Sequence, residues 1–193
     1  MKQKEHARLS LEELESEIKR EKNRRSYGRA LRSTIFTLIT VAAAAVLVAT
    51  LLLPVMRIFG ASMAPTLEED EIVVAVKSRN IESGDIVAFY YNNRILVKRV
   101  IAEAGDWVNM DENGRVYVND KLLDEPYVES FAYGDPDIEL PYQVPDGMYF
   151  IMGDHRETSV DSRHQIVGCL DPEDIVGEIV LRVWPLEKIG KID

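Results

Sequence analysis

The stretch Asp85-Ile86-Val87-Ala88-Phe89-Tyr90-Tyr91-Asn92-Asn93-Arg94-Ile95-Leu96-Val97-Lys98-Arg99-Val100-Ile101 decides the fold. Branched and aromatic residues fill two runs, and Asn92-Asn93 between them suits a tight two-residue turn, so the runs pair as an antiparallel hairpin. Alternation along the second run puts Leu96, Lys98 and Val100 on one strand face. That is an apolar setting for an ammonium group.

Outward from this hairpin the same grammar repeats, with short β-rich runs and turn signals every eight to twelve residues or so, the pattern of an all-β domain. Glu71 to Val76 precedes the hairpin, and Ser83-Gly84 leads into it. Trp107 to Met110 and Arg115 to Val118 flank the turn Asp111-Glu112-Asn113-Gly114; Pro145-Asp146-Gly147 launches Met148 to Met152; Ile179 to Trp184 closes the domain. The acidic stretch Tyr127 to Val144 reads as an extended loop.

Upstream of the strands, Thr34 to Met56 (TIFTLITVAAAAVLVATLLLPVM) carries no charge. At about 1.5 Å per helical residue it reaches roughly 34 Å, enough for a hydrocarbon core of about 30 Å. A cleaved leader has a much shorter apolar core and rarely follows thirty polar residues, so a retained span is the better reading despite the small residues Ala42 to Ala45. Pro54 kinks or ends the helix. Arg20, Lys22, Arg24, Arg25, Arg29 and Arg32 crowd the N-terminal flank against Arg57 alone on the other side, which keeps the N-terminus in the cytoplasm. The expected organisation is a cytoplasmic segment (1–33), a transmembrane anchor (34–57) and an extracytoplasmic β domain (58–193).

Charge follows the same partition. The chain carries 11 basic and 6 acidic residues through Arg57 and 12 and 27 beyond it, so the outer part is near −15 within a total of −10. Such a surface excludes nucleic acid as a partner. Cys169 is the single cysteine, so no internal disulfide forms, and it reads as a small core or edge residue. Ser10-Leu11-Glu12-Glu13 matches a capping box before Leu14 and Ile18, a short amphipathic helix on the cytoplasmic side. The cluster Glu68-Glu69-Asp70-Glu71 lacks histidine and ligand spacing, so it reads as a solvated turn; neither metal nor cofactor is expected.

The chemistry centres on Gly60-Ala61-Ser62-Met63-Ala64-Pro65-Thr66-Leu67, a serine in a small-residue turn just past the span. Serine needs a neighbouring base. His6 lies on the cytoplasmic side, while His155 and His164 leave an ordinary Ser/His/Asp triad open. Lys98 is the alternative: desolvation penalises its charged form and lowers its pKa, which makes a neutral amine able to take the serine proton. A lysine that snorkels from a strand edge into water is the bland reading.

Three segments resemble, in order, the signature blocks of bacterial type I signal peptidases. They are Ser62 to Leu67; Lys98-Arg99-Val100-Ile101 with Gly105-Asp106; and Gly153-Asp154-His155-Arg156-Glu157-Thr158-Ser159-Val160-Asp161-Ser162-Arg163. The resemblance spans essentially Thr34 to Trp184. It implies a mainly β fold, with a single N-terminal transmembrane helix followed by an antiparallel β-sheet catalytic domain of the kind shared by signal peptidases and SOS-repressor proteases. It implies a membrane serine endopeptidase of the cytoplasmic membrane that cuts signal peptides from exported preproteins after small residues.

By that resemblance Ser62 is the acylated nucleophile and Lys98 its base, and Ser159 hydrogen-bonds the lysine amine. Asp161 pairs with Arg163, Asp154 supports the site, and Arg99 faces away from Lys98 along the strand. The leader adds as a strand against Ile58-Phe59-Gly60 and Leu96-Val97, with Met63 and Leu67 counted in the substrate-binding set. Exported preproteins and membrane lipid are the implied partners. Three departures stand out. Gly60 replaces a serine that some members use in the oxyanion hole, which leaves that task mainly to the Ser62 N–H. Ala102 and Ala104 replace the usual glycine and proline, and His155 a usual asparagine. A catalytically silent anchored β domain and a self-processing relative of the SOS repressors are the competing classes; the latter needs a DNA-binding half, where this chain has a membrane span.

Overall fold

The computed structural model describes residues 11–77 and 80–192. His6 and Ser10 of the capping box lie outside them. One continuous helix, α1 (Leu11–Leu52, 42 residues), replaces the expected short amphipathic helix and separate span. It contains one stretch long and apolar enough to cross a membrane, within Ile18–Leu47, of mean hydropathy 1.8. Inside the apolar run the hydroxyls of Thr34, Thr37 and Thr40 donate to the carbonyls of Ala30, Ser33 and Phe36, so these polar groups are satisfied within the helix. The helix stops at Leu52 because Leu53 precedes Pro54, and a residue before proline is pushed out of the α region. The last residues of the apolar run therefore form a strand rather than helix.

The second unit, from Thr50 onward, is built of two antiparallel sheets. In chain order the strands are β1 (Val55–Arg57), β2 (Ile72–Val76), β3 (Ile86–Tyr91), β4 (Arg94–Ala102), β5 (Trp107–Met110), β6 (Val116–Val118), β7 (Lys121–Leu122), β8 (Tyr142–Gln143), β9 (Phe150–Met152), β10 (Ile175–Trp184) and β11 (Gly190–Lys191). The larger sheet runs β1-β2-β10-β3-β4-β9, with β11 beside β10; the smaller runs β7-β6-β5-β8. The opening hairpin is β3–β4: Tyr91 opposes Arg94, and both Asn92 and Asn93 have positive φ (45° and 63°), as a turn twisted with its strands requires.

Alternation explains why this hairpin is central. Ile86 and Ala88 face a core with Ile58, Met63, Leu67, Val73 and Ile179, while Val87 and Phe89 face another with Val100, Ile151 and Leu170. Both faces of β3 are buried, so it reads as a nearly unbroken apolar run. A third core joins the end of β4 to the smaller sheet through Ile101, Ala102, Val108, Val116, Phe150 and Met152. Ala102 is fully buried opposite Phe150, where β4 and β9 shift register after Val100. The stretch from Tyr127 to Val144 is irregular apart from β8. Cys169 packs at the margin of the third core, and burial raises its thiol pKa.

The coverage of β4 sets up everything that follows. β9 pairs with Arg99, Val100 and Ala102, whereas Arg94 to Lys98 pair with β3 alone. Among the described residues the other edge of that half has no strand beside it.

Candidate active site

Lys98 is the last residue of the half of β4 that pairs with β3 alone, next to Arg99, where pairing with β9 begins. Leu96 and Val100 on its strand face pack into the core with Phe89 and Ile151, and Lys98 itself is 3% exposed. Its Nζ donates to Ser62 Oγ at 2.6 Å. Burial pushes the Lys98 amine down to about 8; the Asp161 and Asp154 carboxylates oppose that shift and Arg163 adds to it. A large fraction of the amine is thus neutral in mildly alkaline solution and can accept the serine proton.

Ser62 is presented by a tight turn. Ala64 N–H bonds the Ala61 carbonyl and Leu67 N–H the Met63 carbonyl, while Met63 and Leu67 anchor the turn in the first core. His155 N–H donates to the Ser62 carbonyl at 3.1 Å, which ties the serine block to the third signature block. Among the described residues neither histidine ring is hydrogen-bonded to Ser62: His155 Nδ1 lies 2.9 Å from Thr158 Oγ1, and His164 Nδ1 accepts from Asp161 N–H at 3.5 Å. The Ser62 backbone N–H has no acceptor among the described residues, so it is available to a developing oxyanion.

Strand alternation sends the two cations of Lys98-Arg99 apart. The Arg99 guanidinium forks onto Asp154, with Nε–Oδ1 at 3.1 Å and Nη2–Oδ2 at 2.9 Å; it also donates to the Gly84 carbonyl and lies 3.9 Å from the Tyr127 ring centroid. Asp154 Oδ2 in turn accepts from Thr66 Oγ1 at 2.5 Å. Asp154 therefore links the serine turn to the lysine strand.

Asp161 and Arg163 form the expected pair, Nε–Oδ1 2.9 Å and Nη2–Oδ2 3.0 Å, and both are buried. Burial raises the Asp161 pKa, but the Arg163 hydrogen bonds and charge, with the Gly153 N–H, more than offset it and hold the carboxyl below its ordinary range. Ser159 is 4% exposed and its Oγ makes no well-aligned hydrogen bond, although it lies close enough to the Asp161 carboxylate to help lower that group's pKa. The expected Ser159–Lys98 bond is thus not made here. Crowding is severe at this point: a Cβ on Gly153 would stand 2.3 Å from Ser159 Oγ.

Beside Ser62 runs a groove of about 600 Å³, lined on one wall by Met56 to Gly60 and Met63 and on the other by Arg94 to Val97. Ile58, Phe59, Gly60, Met63, Leu96 and Val97 of the expected substrate-binding set line it; Leu67 does not, being fully buried in the core. The second wall is the half of β4 that β9 leaves open.

Sequence reasoning missed several supports. Arg156 is buried against Glu125, with Nη1–Oε2 at 3.2 Å and a closer Nη2–Oε1 contact, and donates to the Gly153 carbonyl. Tyr127 OH donates to Glu125, and burial, then the Glu125 charge, raise its pKa. Ser162 Oγ accepts from Ile151 N–H and donates to the Gly168 carbonyl. The Arg156–Glu125 pair spans 31 residues and the Ser162 contacts span 6 and 11, separations that leave no local pattern to read.

Residues 31–184 match the family described as signal peptidase, peptidase S26. Signal peptidase I of Streptococcus pneumoniae is 34% identical over 173 residues, covering 69% of this chain and 83% of that protein. Signal peptidase IB of Staphylococcus aureus is 37% identical over 149 residues, covering 67% and 76%. A crystal structure of a signal peptidase I from Enterococcus faecalis aligns with a TM-score of 0.44 at 27% identity, over 52% of this chain and 97% of that one. With the match extending over most of its length, this chain belongs to the signal peptidase family, peptidase S26, and is a serine peptidase.

Proposed function

We propose that the chain removes N-terminal signal peptides from exported preproteins by a Ser62/Lys98 dyad and an acyl-enzyme. The observation that carries this reading is the 2.6 Å contact between Lys98 Nζ and Ser62 Oγ, with the amine buried and its pKa lowered. The neutral amine takes the Ser62 proton as Oγ bonds to the scissile carbonyl carbon. Negative charge collects on the carbonyl oxygen, facing the Ser62 N–H. As the C–N bond breaks, the Lys98 ammonium returns its proton to the leaving amine, and the leader stays esterified to Ser62. Lys98 then takes a proton from water, whose oxygen attacks the ester carbon; as the C–O bond to Ser62 breaks, the ammonium returns the proton to Ser62 Oγ and the leader acid is released.

The leader lies extended in the groove, adding to the open edge of Arg94 to Val97 by main-chain hydrogen bonds. Met63 and Val97 line the groove next to Ser62, and the leader residues seated there are taken to be small, so that the cut follows alanine-type residues. Asp154, Asp161 and Arg163 hold the walls. The order of the sequence reading is kept, a cytoplasmic segment (1–33), a cytoplasmic-membrane anchor and an extracytoplasmic catalytic domain, but the anchor ends with the helix at Leu52 rather than at residue 57, because Val55–Arg57 belongs to the larger sheet.

The test is mass spectrometry of a preprotein with an Ala-x-Ala leader, incubated with the detergent-solubilised chain. A single cut after the second alanine is expected, and none with Ser62→Ala. A wild-type cut pattern from Ser62→Ala would overturn the dyad.

A further inference from the structure

We propose that Arg182 is a positioning residue: from β10 it fixes the Thr66 carbonyl, and through it the turn that carries Ser62. This rests on the reading of Ser62 as nucleophile.

Arg182 Nη2 donates to the Thr66 carbonyl at 2.5 Å, across 116 residues of sequence. Its Nε stands 2.9 Å from Glu71 Oε2, and Lys188 Nζ stands 3.6 Å from Glu71 Oε1 and 2.7 Å from Glu68 Oε2. Glu71 is 3% exposed, yet neither of its carboxylate oxygens nor Arg182 Nε makes an aligned hydrogen bond. Within this group the Glu71 carboxylate is held by charge alone.

A buried carboxylate without hydrogen bonds is a poor way to stabilise a fold, since an apolar pair of similar volume usually serves as well or better. What it does accomplish is directional. With Nε kept against Glu71, the guanidinium presents its Nη2 edge to Thr66. Thr66 is then gripped at both ends, its hydroxyl by Asp154 and its carbonyl by Arg182. The Leu67 N–H to Met63 carbonyl bond makes residues 63 to 67 one closed turn, so fixing Thr66 fixes the position of Ser62. Asp154 ties that turn to Arg99 on the lysine strand, and Arg182 ties it to β2 and β10; Val73 is the cross-strand partner of Arg182. The nucleophile is located from two sides of the sheet. A displacement near 1 Å at a reacting atom can cost on the order of a hundredfold in rate, so the second grip is expected to show in turnover.

The experiment uses the full chain in detergent micelles and one alanine-terminated leader peptide. Wild type, Ser62→Ala, Arg182→Lys and the double variant Glu71→Met/Arg182→Met are compared for kcat, KM and thermal midpoint. The double variant removes both charges together, so no buried charge is orphaned and the fold is retained. Its kcat should fall roughly tenfold or more while KM stays within about twofold, the signature of a lost alignment rather than lost binding. Arg182→Lys keeps a cation beside Glu71 and should recover part of the loss. Wild-type kcat in both variants overturns the proposal, and so does a change confined to KM. An inactive Ser62→Ala beside fully active Arg182 variants removes this inference alone, whereas an active Ser62→Ala removes the nucleophile reading beneath it.

Discussion

Gly153 lies so close to Ser62 that a methyl group on it would stand 2.4 Å from the Ser62 carbonyl oxygen. The same methyl would strike Ser159, and the fixed backbone on one side leaves little room to yield. Gly153→Ala should therefore abolish peptide cleavage and lower stability by about 1–3 kcal/mol, the usual range for overpacking. Thermal melting read beside activity checks it: an active Gly153→Ala would mean that the serine block moves freely.

The pH dependence of cleavage follows from the lysine. With the Lys98 pKa near 8, kcat/KM on an alanine-terminated peptide should rise through that region as the neutral amine forms. Lys98→Arg should be inactive, because guanidinium stays protonated. His155→Ala with His164→Ala should leave the rising limb in place. Loss of that limb with the histidines would return the site to a histidine triad.

Stability carries the opposite face of the same shift. The folded value of about 8 lies below the ordinary 10.5, so the unfolded chain binds more protons between those limits and stability rises with pH across them. Below pH 8 the folded protein bears the full penalty of a buried ammonium, on the order of 3 kcal/mol. Lys98→Met should consequently melt higher than wild type at pH 7. The gap should narrow above pH 10, and a gap that stays constant with pH would argue against a depressed lysine.

Topology is checked from outside the cell. The basic flank before the apolar run predicts that protease added to spheroplasts digests residues beyond Arg57 and spares the segment before Thr34. Protection of the β domain would reverse the orientation.

Local chemistry made much of this legible. The β3–β4 hairpin follows from alternation and an Asn-Asn turn, whereas the Asp161–Arg163 pair comes from the resemblance of the third block, and the structure places it in a turn rather than an extended segment. Lys98 was visible as a charge on an apolar strand face. What stayed hidden depends on distant partners: Glu125 with Arg156, Arg99 under Tyr127, and Arg182 on Thr66 join residues that no periodicity relates. The continuous α1 was hidden for another reason. A capping box with Leu14 and Ile18 announces only its start; between Ile18 and Ser33 no apolar stripe joins that start to the apolar second half, which continues the helix turn by turn until Pro54 intervenes.

The short reach of β9 along β4 has a further consequence. A strand edge offers the same donors and acceptors to any extended chain, whatever its side chains, so the groove's grip on a peptide is largely blind to sequence. Discrimination is left to the few side chains around Ser62. On the proposed mode of leader binding, one copy of the enzyme would serve a diverse set of clients, and a cleaved leader lingering on the open edge would compete with the next one.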